Sequence, residues 1–539
     1  MITLEPIKII KTEGETSNGV SLLKKKVLQV GLFDTDLFVM KGKSSIILDF
    51  GKEVSGGVRI LTYSTNGKAD VRLRFGESVG ETCAEIGEKN ATNNHATRDM
   101  VVELQLLSDM PFGQTGFRFL RLDSLNDDIE IKIKAIVANV DTDQREQVGS
   151  FWCNDELVNT IWSTACYTLR LCLQNGMFWD GIKRDRLVWI GDLYPETRAA
   201  RCLFNNVPEV VNSLDFAMNE TPLPKWMNGI PAYSLWWLII LADEFKYSSN
   251  KALFDKYIPY VKGLIEQISL CIKEDGATAY GDNFIDWPSY YQEGESKEKY
   301  EDGFSGMNYL TKIAVEKIRC FLIANDESAF VCDSILSRLE KDKRHVNAYK
   351  QMAGLGVWSG DKSENNKEVL LRGGAKGMST FMSYPILIGV AKCGEAETAL
   401  SMMKEYYGGM LSVGATSFWE DFDIAWLENC GRIDELPVEG KKDIHGDYGA
   451  FWYVGYRHSL CHGWSAGVIP YLMELVAGIT FEDTEMRKIR ISPSMSGLTH
   501  IKAAYPTPYG LVQVEHKLND NGEMESQVSV PKEIEIIHN

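Results

Sequence analysis

The densest grouping of chemically capable side chains is FWDGIKRDRLVWIGDLYPE, residues 178–196, where Asp180, Asp185, Asp192 and Glu196 stand among Lys183, Arg184, Arg186, Trp179 and Trp189. Carboxylates held near fixed cations on one connection acquire different protonation states, which is what general acid–base chemistry requires. A structural reading stands beside this one. Asp192 can cap the helix that follows, with Pro195 and Glu196 in its first turn, and the arginines can simply pair with the acids. Two tryptophans and four acids on one connection exceed what capping needs, so the group as a whole points to a site.

A second group, GATSFWEDFD, sets Glu420, Asp421 and Asp423 beside Phe418, Trp419 and Phe422. Aromatic rings around a carboxylate offer a stacking face for a sugar and the desolvation that raises a pKa. The alternative is a solvated acidic turn flanked by core rings. A third, YGDNFIDWPSYY, contributes Asp282, Asp286, Trp287, Tyr290 and Tyr291 on a stretch that Pro288 keeps from becoming helix. A fourth, SLCHGWSAGVIPYL, offers His462 and Trp464 at the start of the last long helical pattern, where a histidine also serves as ordinary polar packing. No spacing of His and Cys resembles a metal site, and neither a G-x-S-x-G elbow nor a phosphate-binding G-x-x-x-x-G-K-[ST] loop occurs. The expected chemistry is therefore carboxylate chemistry, with no metal site.

These groups need elements to hold them. From Met1 to about Val148, runs such as SSIILDFGKEVSGGVRILTYS and DIEIKIKAIVANV alternate apolar and polar residues at the period of a half-buried strand, which predicts an antiparallel β-sandwich over 1–149. From about Ser150 the period changes to three and four. DELVNTIWSTACYTLRLCLQ, PAYSLWWLIILADEF and NYLTKIAVEKIRCFLIA read as helices, some apolar on most faces and hence sandwiched. Helices over 150–478 joined by long loops fit an α/α toroid with the loops of one rim forming a cleft. After about Gly478 strand patterns return, which predicts a small C-terminal β-sandwich over 479–539.

With 44% hydrophobic and 24% charged residues the 539-residue chain suits several folded domains. A net charge of -18 without a basic stripe argues against nucleic acid. Eleven scattered cysteines without paired spacing read as buried reduced thiols. No apolar run is long enough to span a bilayer, and the first residues hold no signal-like apolar core, so no membrane partner and a cytoplasmic location are the expectations. Oligomeric state is left open.

FWDGIKRDRLVWIGD resembles the signature loop of the inverting α-L-rhamnosidases, in the six-hairpin clan of glycoside hydrolases. LDFGKEVSGGVRI, RFGESVGE, ATNNHATRD, GFRFLRLD, PAYSLWWL, GATSFWEDFD and SLCHGWSAG carry the resemblance along nearly the whole chain. It implies a multidomain fold in which an all-α (α/α)6 toroid bears the site between N-terminal and C-terminal β-sandwich domains. It also implies a carbohydrate substrate, release of terminal α-L-rhamnose from small rhamnosides or oligosaccharides, and inversion without a cofactor. On this resemblance Asp185 matches the proton donor and Glu420 the general base. Asp180 and Asp192 match positions that hold sugar hydroxyls, while Asp286 with Trp287 and His462 with Trp464 match segments lining the sugar pocket. Arg184, Trp189 and Trp419 complete the expected substrate-binding set. The better-known members generally have Glu at the donor position, and Asp185 is shorter by one methylene.

Overall fold

A computed structural model describes residues 2–248, 250–290, 295–346 and 348–537. The alternating N-terminal pattern forms a seven-stranded antiparallel sheet whose spine is the strand Phe38–Thr65. That strand pairs with Lys8–Ser17, Ser108–Ser124 and Glu130–Val140 along different parts of its length. Register shifts between Asp49 and Val54, and again between Gly56 and Val58, bend it. Gly56 is required at the bend: its φ is 151° and a Cβ would stand 2.0 Å from the Asn139 carbonyl. Ile46, Leu48, Val58, Ile60, Phe117, Leu120 and Ile133 fill a core that belongs to this sheet alone. On its edge Ser78 caps the short helix Val79–Cys83, its hydroxyl accepting from the Glu81 N–H at 3.1 Å.

The three-and-four pattern forms helices. Asp155 caps Glu156–Cys172 by accepting from the Leu157 and Val158 N–H groups. Pro231–Tyr247, apolar on most faces, is buried along nearly its whole length and packs against Ile190–Leu203 and Lys297–Ala324. Ser383–Lys392 lies on Lys350–Trp358 and Ala396–Ser412, and the last of these packs back onto Glu156–Cys172. Asp180, Asp185, Asp286 and Glu420 lie on the connections between these elements, while Asp192 and Glu196 open the helix Ile190–Leu203.

The C-terminal strands His500–Thr507, Gly510–Leu518 and Met524–Ser529 make a four-stranded sheet with Ser150–Cys153, and Ile479–Phe481, Lys488–Ile491 and Glu535–Ile537 make a three-stranded one. The chain thus enters the C-terminal sheet before it enters the helices. Ile489, Ile501, Tyr505 and Val512 share one core with the helices. The cysteines are all unpaired, and Cys320 is exposed, so not every thiol is buried as expected. Among the described residues no helix is long and apolar enough to cross a membrane.

Candidate active site

The segment 179–188 leaves a short hairpin (Leu173–Gln174 with Met177–Phe178) and enters the helix Ile190–Leu203. Asp180 closes it into a loop: its N–H donates to the Leu187 carbonyl at 3.1 Å, and its carboxylate accepts from the Leu187 N–H at 2.8 Å. A bridge between Gly181 and His462, with the Gly463 N–H on the Asp180 carbonyl at 2.7 Å, ties the loop to the fourth group. The closed loop fans its side chains in different directions. Lys183 enters a buried nest between Glu77 and Glu81 of the N-terminal domain and the His445 and Tyr456 segment, Arg184 turns to Glu420, Asp185 meets His95, and Arg186 donates to the Gln114 carbonyl at 2.9 Å. Asp185 and Arg186 both take left-handed backbone conformations, with φ of 54° and 57°. Such conformations are uncommon for non-glycine residues, and less so for Asp than for Arg.

Glu420 arrives from the far end of the sequence. Its backbone pairs with Ser459, its Oε2 accepts from the Ser459 N–H at 3.1 Å, and its carbonyl accepts from the Trp464 indole at 2.9 Å. The Arg184 guanidinium joins the two expected catalytic groups: Nη1 lies 2.9 Å from Asp185 Oδ1, and Nη2 bonds Glu420 Oε1. His462 Nε2 stands 3.4 Å from Glu420 and 3.7 Å from both Asp180 and Asp192. One imidazole nitrogen therefore faces three carboxyl groups.

Burial governs the protonation of this crowd. It pushes the Asp180 carboxyl well above the usual range, with repulsion from Asp192 and Asp185 adding to it, and pushes Asp192 and Glu196 the same way. Glu420 is raised by burial too, against the opposing pull of Arg184 and the Ser459 N–H. His462 is held well below its ordinary pKa by burial and by Arg184, and is neutral at physiological pH. Asp185 differs in setting, with 18% of its side chain exposed where Glu420 shows 3%.

These groups open on a cavity of about 400 Å³ lined by Asp180, Arg184, Asp185, Trp189, Asp192, Trp287, Glu420, His462 and Trp464 among the expected residues. Two expected residues lie behind its wall instead. The Asp286 carboxylate is used by the Trp287 N–H at 2.8 Å and by the Ser379 hydroxyl, capping a short turn that aims Trp287 inward. Trp419 is fully buried, edge-on to Phe422 and His458, because successive side chains of this non-helical stretch turn opposite ways and Glu420 takes the inner side. Asp282 accepts from the Phe284 N–H and the Tyr290 hydroxyl as a turn residue, Asp423 caps a single turn, and Tyr291 falls outside the described residues.

The cavity also holds residues that sequence reasoning missed: Tyr233, whose hydroxyl lies 3.5 Å from Asp192 Oδ2, together with Tyr453, Arg457, Asn228 and His95. Tyr233 sits inside PAYSLWWL, where its period marks it as core. His95 lies in ATNNHATRD of the N-terminal domain, and nothing in its spacing connects it to a loop so far along the chain.

The described residues gather one group of possible metal ligands, Glu77, Glu81 and His445. The Lys183 ammonium stands among them, 2.9 Å from Glu77, 3.4 Å from Glu81 and 3.4 Å from His445 Nε2, and also donates to the Tyr456 carbonyl. The chain's own cation takes the place a metal would need. The nest locks the loop to the N-terminal domain.

Three domain models of bacterial α-L-rhamnosidases match the chain in order: the concanavalin-like domain over residues 40–139, the six-hairpin glycosidase domain over 146–313 and the C-terminal domain over 478–537. No curated protein sequence matches. Among solved structures, a rhamnosidase of Bacillus sp. GL1 superposes with a TM-score of 0.73 at 19% identity, covering 93% of this chain and 54% of that one. An α-L-rhamnosidase from Dictyoglomus thermophilum gives 0.70 at 17%, covering 99% of this chain and 58% of that one. A Klebsiella oxytoca rhamnosidase with rhamnose bound gives 0.66 at 18%, covering 87% and 94%. The chain thus spans little more than half the length of the first two, and these identities speak to the fold.

Proposed function

The chain belongs to the bacterial α-L-rhamnosidase family of glycoside hydrolases, and from that membership we infer that it releases terminal α-L-rhamnose from small rhamnosides or oligosaccharides. The helical region is read as the (α/α)6 toroid of the six-hairpin clan, flanked by β-sandwiches. Catalysis is direct displacement without a cofactor. Asp185 protonates the leaving oxygen while Glu420 takes a proton from a water on the opposite face of the ring. Asp180, Asp192 and His462 bind ring hydroxyls, and Trp189, Trp287 and Trp464 wall the apolar faces.

The observation that carries this reading is the convergence of Asp185 and Glu420, from loops far apart in sequence, on one guanidinium at the wall of a ring-lined cavity. The two carboxyls take opposite parts for a physical reason. The Arg184 and Ser459 donors favour the base form of Glu420 against its burial, and Asp185 sits at the more open side where an aglycone can leave. Hydrolysis of an aryl α-L-rhamnoside followed by NMR of the first-formed sugar tests it: β-rhamnose is expected. First-formed α-rhamnose points to a retaining route, and cleavage of another aryl glycoside with rhamnoside untouched rejects the substrate.

A second assignment of the donor has an observation of its own. Burial pushes the Asp192 carboxyl well above the usual range, whereas Asp185 pairs with Arg184. Asp185→Asn and Asp192→Asn separate the two, because the true donor's loss harms substrates with poor leaving groups far more than activated ones.

A further inference from the structure

We propose that the mouth of the cavity holds a subsite for an acidic leaving group, a uronate ring whose carboxylate is bound by Arg457 and whose face rests on Trp452. The inference rests on the rhamnoside reading, which it sharpens by naming the group that rhamnose is cleaved from. Its basis is a guanidinium without a partner. Arg457 lines the cavity and is half-buried, yet its side chain makes no ion pair and no hydrogen bond among the described residues. An arginine taken partly out of water is ordinarily matched by an acid. Arg184, the other guanidinium of the cavity, is spent on Asp185 and Glu420.

The backbone places the free charge on the leaving-group side. Arg457 closes the single turn Gly455–Arg457. Its carbonyl accepts from Arg184 Nε at 2.8 Å, and the carbonyls before and after it, those of Tyr456 and His458, accept from the Lys183 ammonium. The turn is thus fixed to the loop that carries Asp185, the acid at the more open side. Trp452 enters from the same connection. Beside it Phe451 takes a left-handed conformation, with φ of 56°, and stacks on Trp287 at 5.6 Å. Gly449 is required two residues earlier, because a Cβ there would stand 1.9 Å from the Tyr453 carbonyl. This shape leaves Tyr453 buried in the wall and Trp452 at the mouth, lining the cavity with 64% of its surface still open. An indole so exposed beside a site gains apolar burial from what the site binds.

A cation and an indole on one short connection suit a ring that carries a negative charge. The planar fork of arginine matches a carboxylate with two parallel bonds. His95 favours a sugar acid over an aromatic one. It uses only Nδ1 toward Asp185, which leaves Nε2 for a ring hydroxyl.

The experiment compares an α-L-rhamnosyl-glucuronate disaccharide, the methyl ester of the same disaccharide and a neutral aryl α-L-rhamnoside. Wild type should prefer the free acid to its ester by about thirtyfold in kcat/KM, within the range of a charge-assisted bond, and added salt should shrink that preference. Arg457→Gln should bring the ratio to about one, whereas Arg457→Lys, which keeps the charge without the fork, should retain part of it. Trp452→Ala should raise KM about fivefold on acid and ester alike and leave their ratio standing. A wild-type ratio near one overturns the proposal, as does a ratio that survives Arg457→Gln. A carboxyphenyl rhamnoside preferred over the disaccharide acid overturns it too, since the leaving group would then be an aromatic acid. Turnover of none of the rhamnosides removes the parent reading. Calorimetric titration of the two disaccharides then reads the subsite by itself, and equal affinity for acid and ester overturns it. Melting curves of each variant identify any loss that comes from unfolding.

Discussion

The helix Ile190–Leu203 is charged at both ends, and the two ends are built on opposite terms. At its start Asp192 and Glu196 crowd with Asp180 and Glu420, and the Arg184 guanidinium already serves Glu420 and Asp185. At its end every acid has a cation. Arg198 bonds Asp243 at 3.0 Å and Glu474 as well, Lys317 bonds Asp243, and Arg201 bonds Glu244 at 2.9 Å. Burial raises the pKa of the first set; at the other end it still raises Glu244 against the pull of Arg201, whereas Asp243 is held below its ordinary range by Lys317 and Arg198. The same desolvation is left unopposed at Asp192 and Glu196, and is overcome at Asp243, where two cations converge on one carboxylate. Unmatched charge at one end is what a reaction can use, and matched charge at the other fixes the frame that holds it.

The sharpest way to break this contrast is to neutralise one group at each end. Glu420→Gln removes the base and should lower kcat by about 10⁴-fold, the upper range for a general base, with the fold and melting temperature nearly kept. A loss of stability in place of activity would put Glu420 with the structural acids. Arg198→Met should do the reverse. It leaves Asp243 and Glu474 buried without their shared partner, at a cost of about 4 kcal/mol read by urea unfolding. The kcat/KM of the protein that remains folded should hardly change, and a large fall would show that the paired end also governs chemistry.

pH separates the ends more gently. Asp286, behind the cavity wall, is pushed by burial to about 7 from an unfolded value of 3.8. Its folded form binds the proton more tightly, so the stability it contributes is complete below about pH 4 and drains away as pH rises toward 7. Asp243 has the opposite sign: its contribution is complete above the same pH and lost only as pH falls below it. Asp286→Asn should therefore flatten unfolding free energy by about 2 kcal/mol between pH 5 and pH 7, and Asp243→Asn should leave that interval unchanged. An unaltered slope in Asp286→Asn would mean its carboxyl is ionised throughout.

The same two ends were unequally legible in the sequence. Strand and helix periods reveal the layers because a buried face must repeat at 2 or 3.6 residues. The loop 178–196 stands out because acids, cations and indoles are rarely packed so close without a task. Facing is a different matter. Glu420 and Trp419 are neighbours, yet one reaches the cavity and the other is sealed behind it. Asp286 and Trp287 divide in the same way. Which side a residue takes in an irregular connection depends on backbone bonds made to distant segments, such as Glu420 to Ser459, and no local pattern encodes them. Lys183 and His95 were hidden for that reason too, since each acts across the boundary between the N-terminal sheet and the helices.

The Asp286–Trp287 pair gives the finest test, because a cap and a wall stand side by side. Trp287 meets Phe284 edge-on at 4.9 Å and stacks on Phe451 at 5.6 Å, with Tyr453 edge-on at 6.0 Å, and its indole face lines the cavity wall. Such a face grips a sugar equally in the ground state and the transition state, since it touches no atom that changes charge. Trp287→Ala should thus raise KM about tenfold, roughly 1.4 kcal/mol of binding, with kcat nearly kept. Asp286→Asn, one residue earlier, preserves the cap and should leave KM alone while altering the pH response. If Trp287→Ala instead lowers kcat with KM unmoved, the indole acts on the transition state, and the division between groups that hold the sugar and groups that handle protons fails at this position.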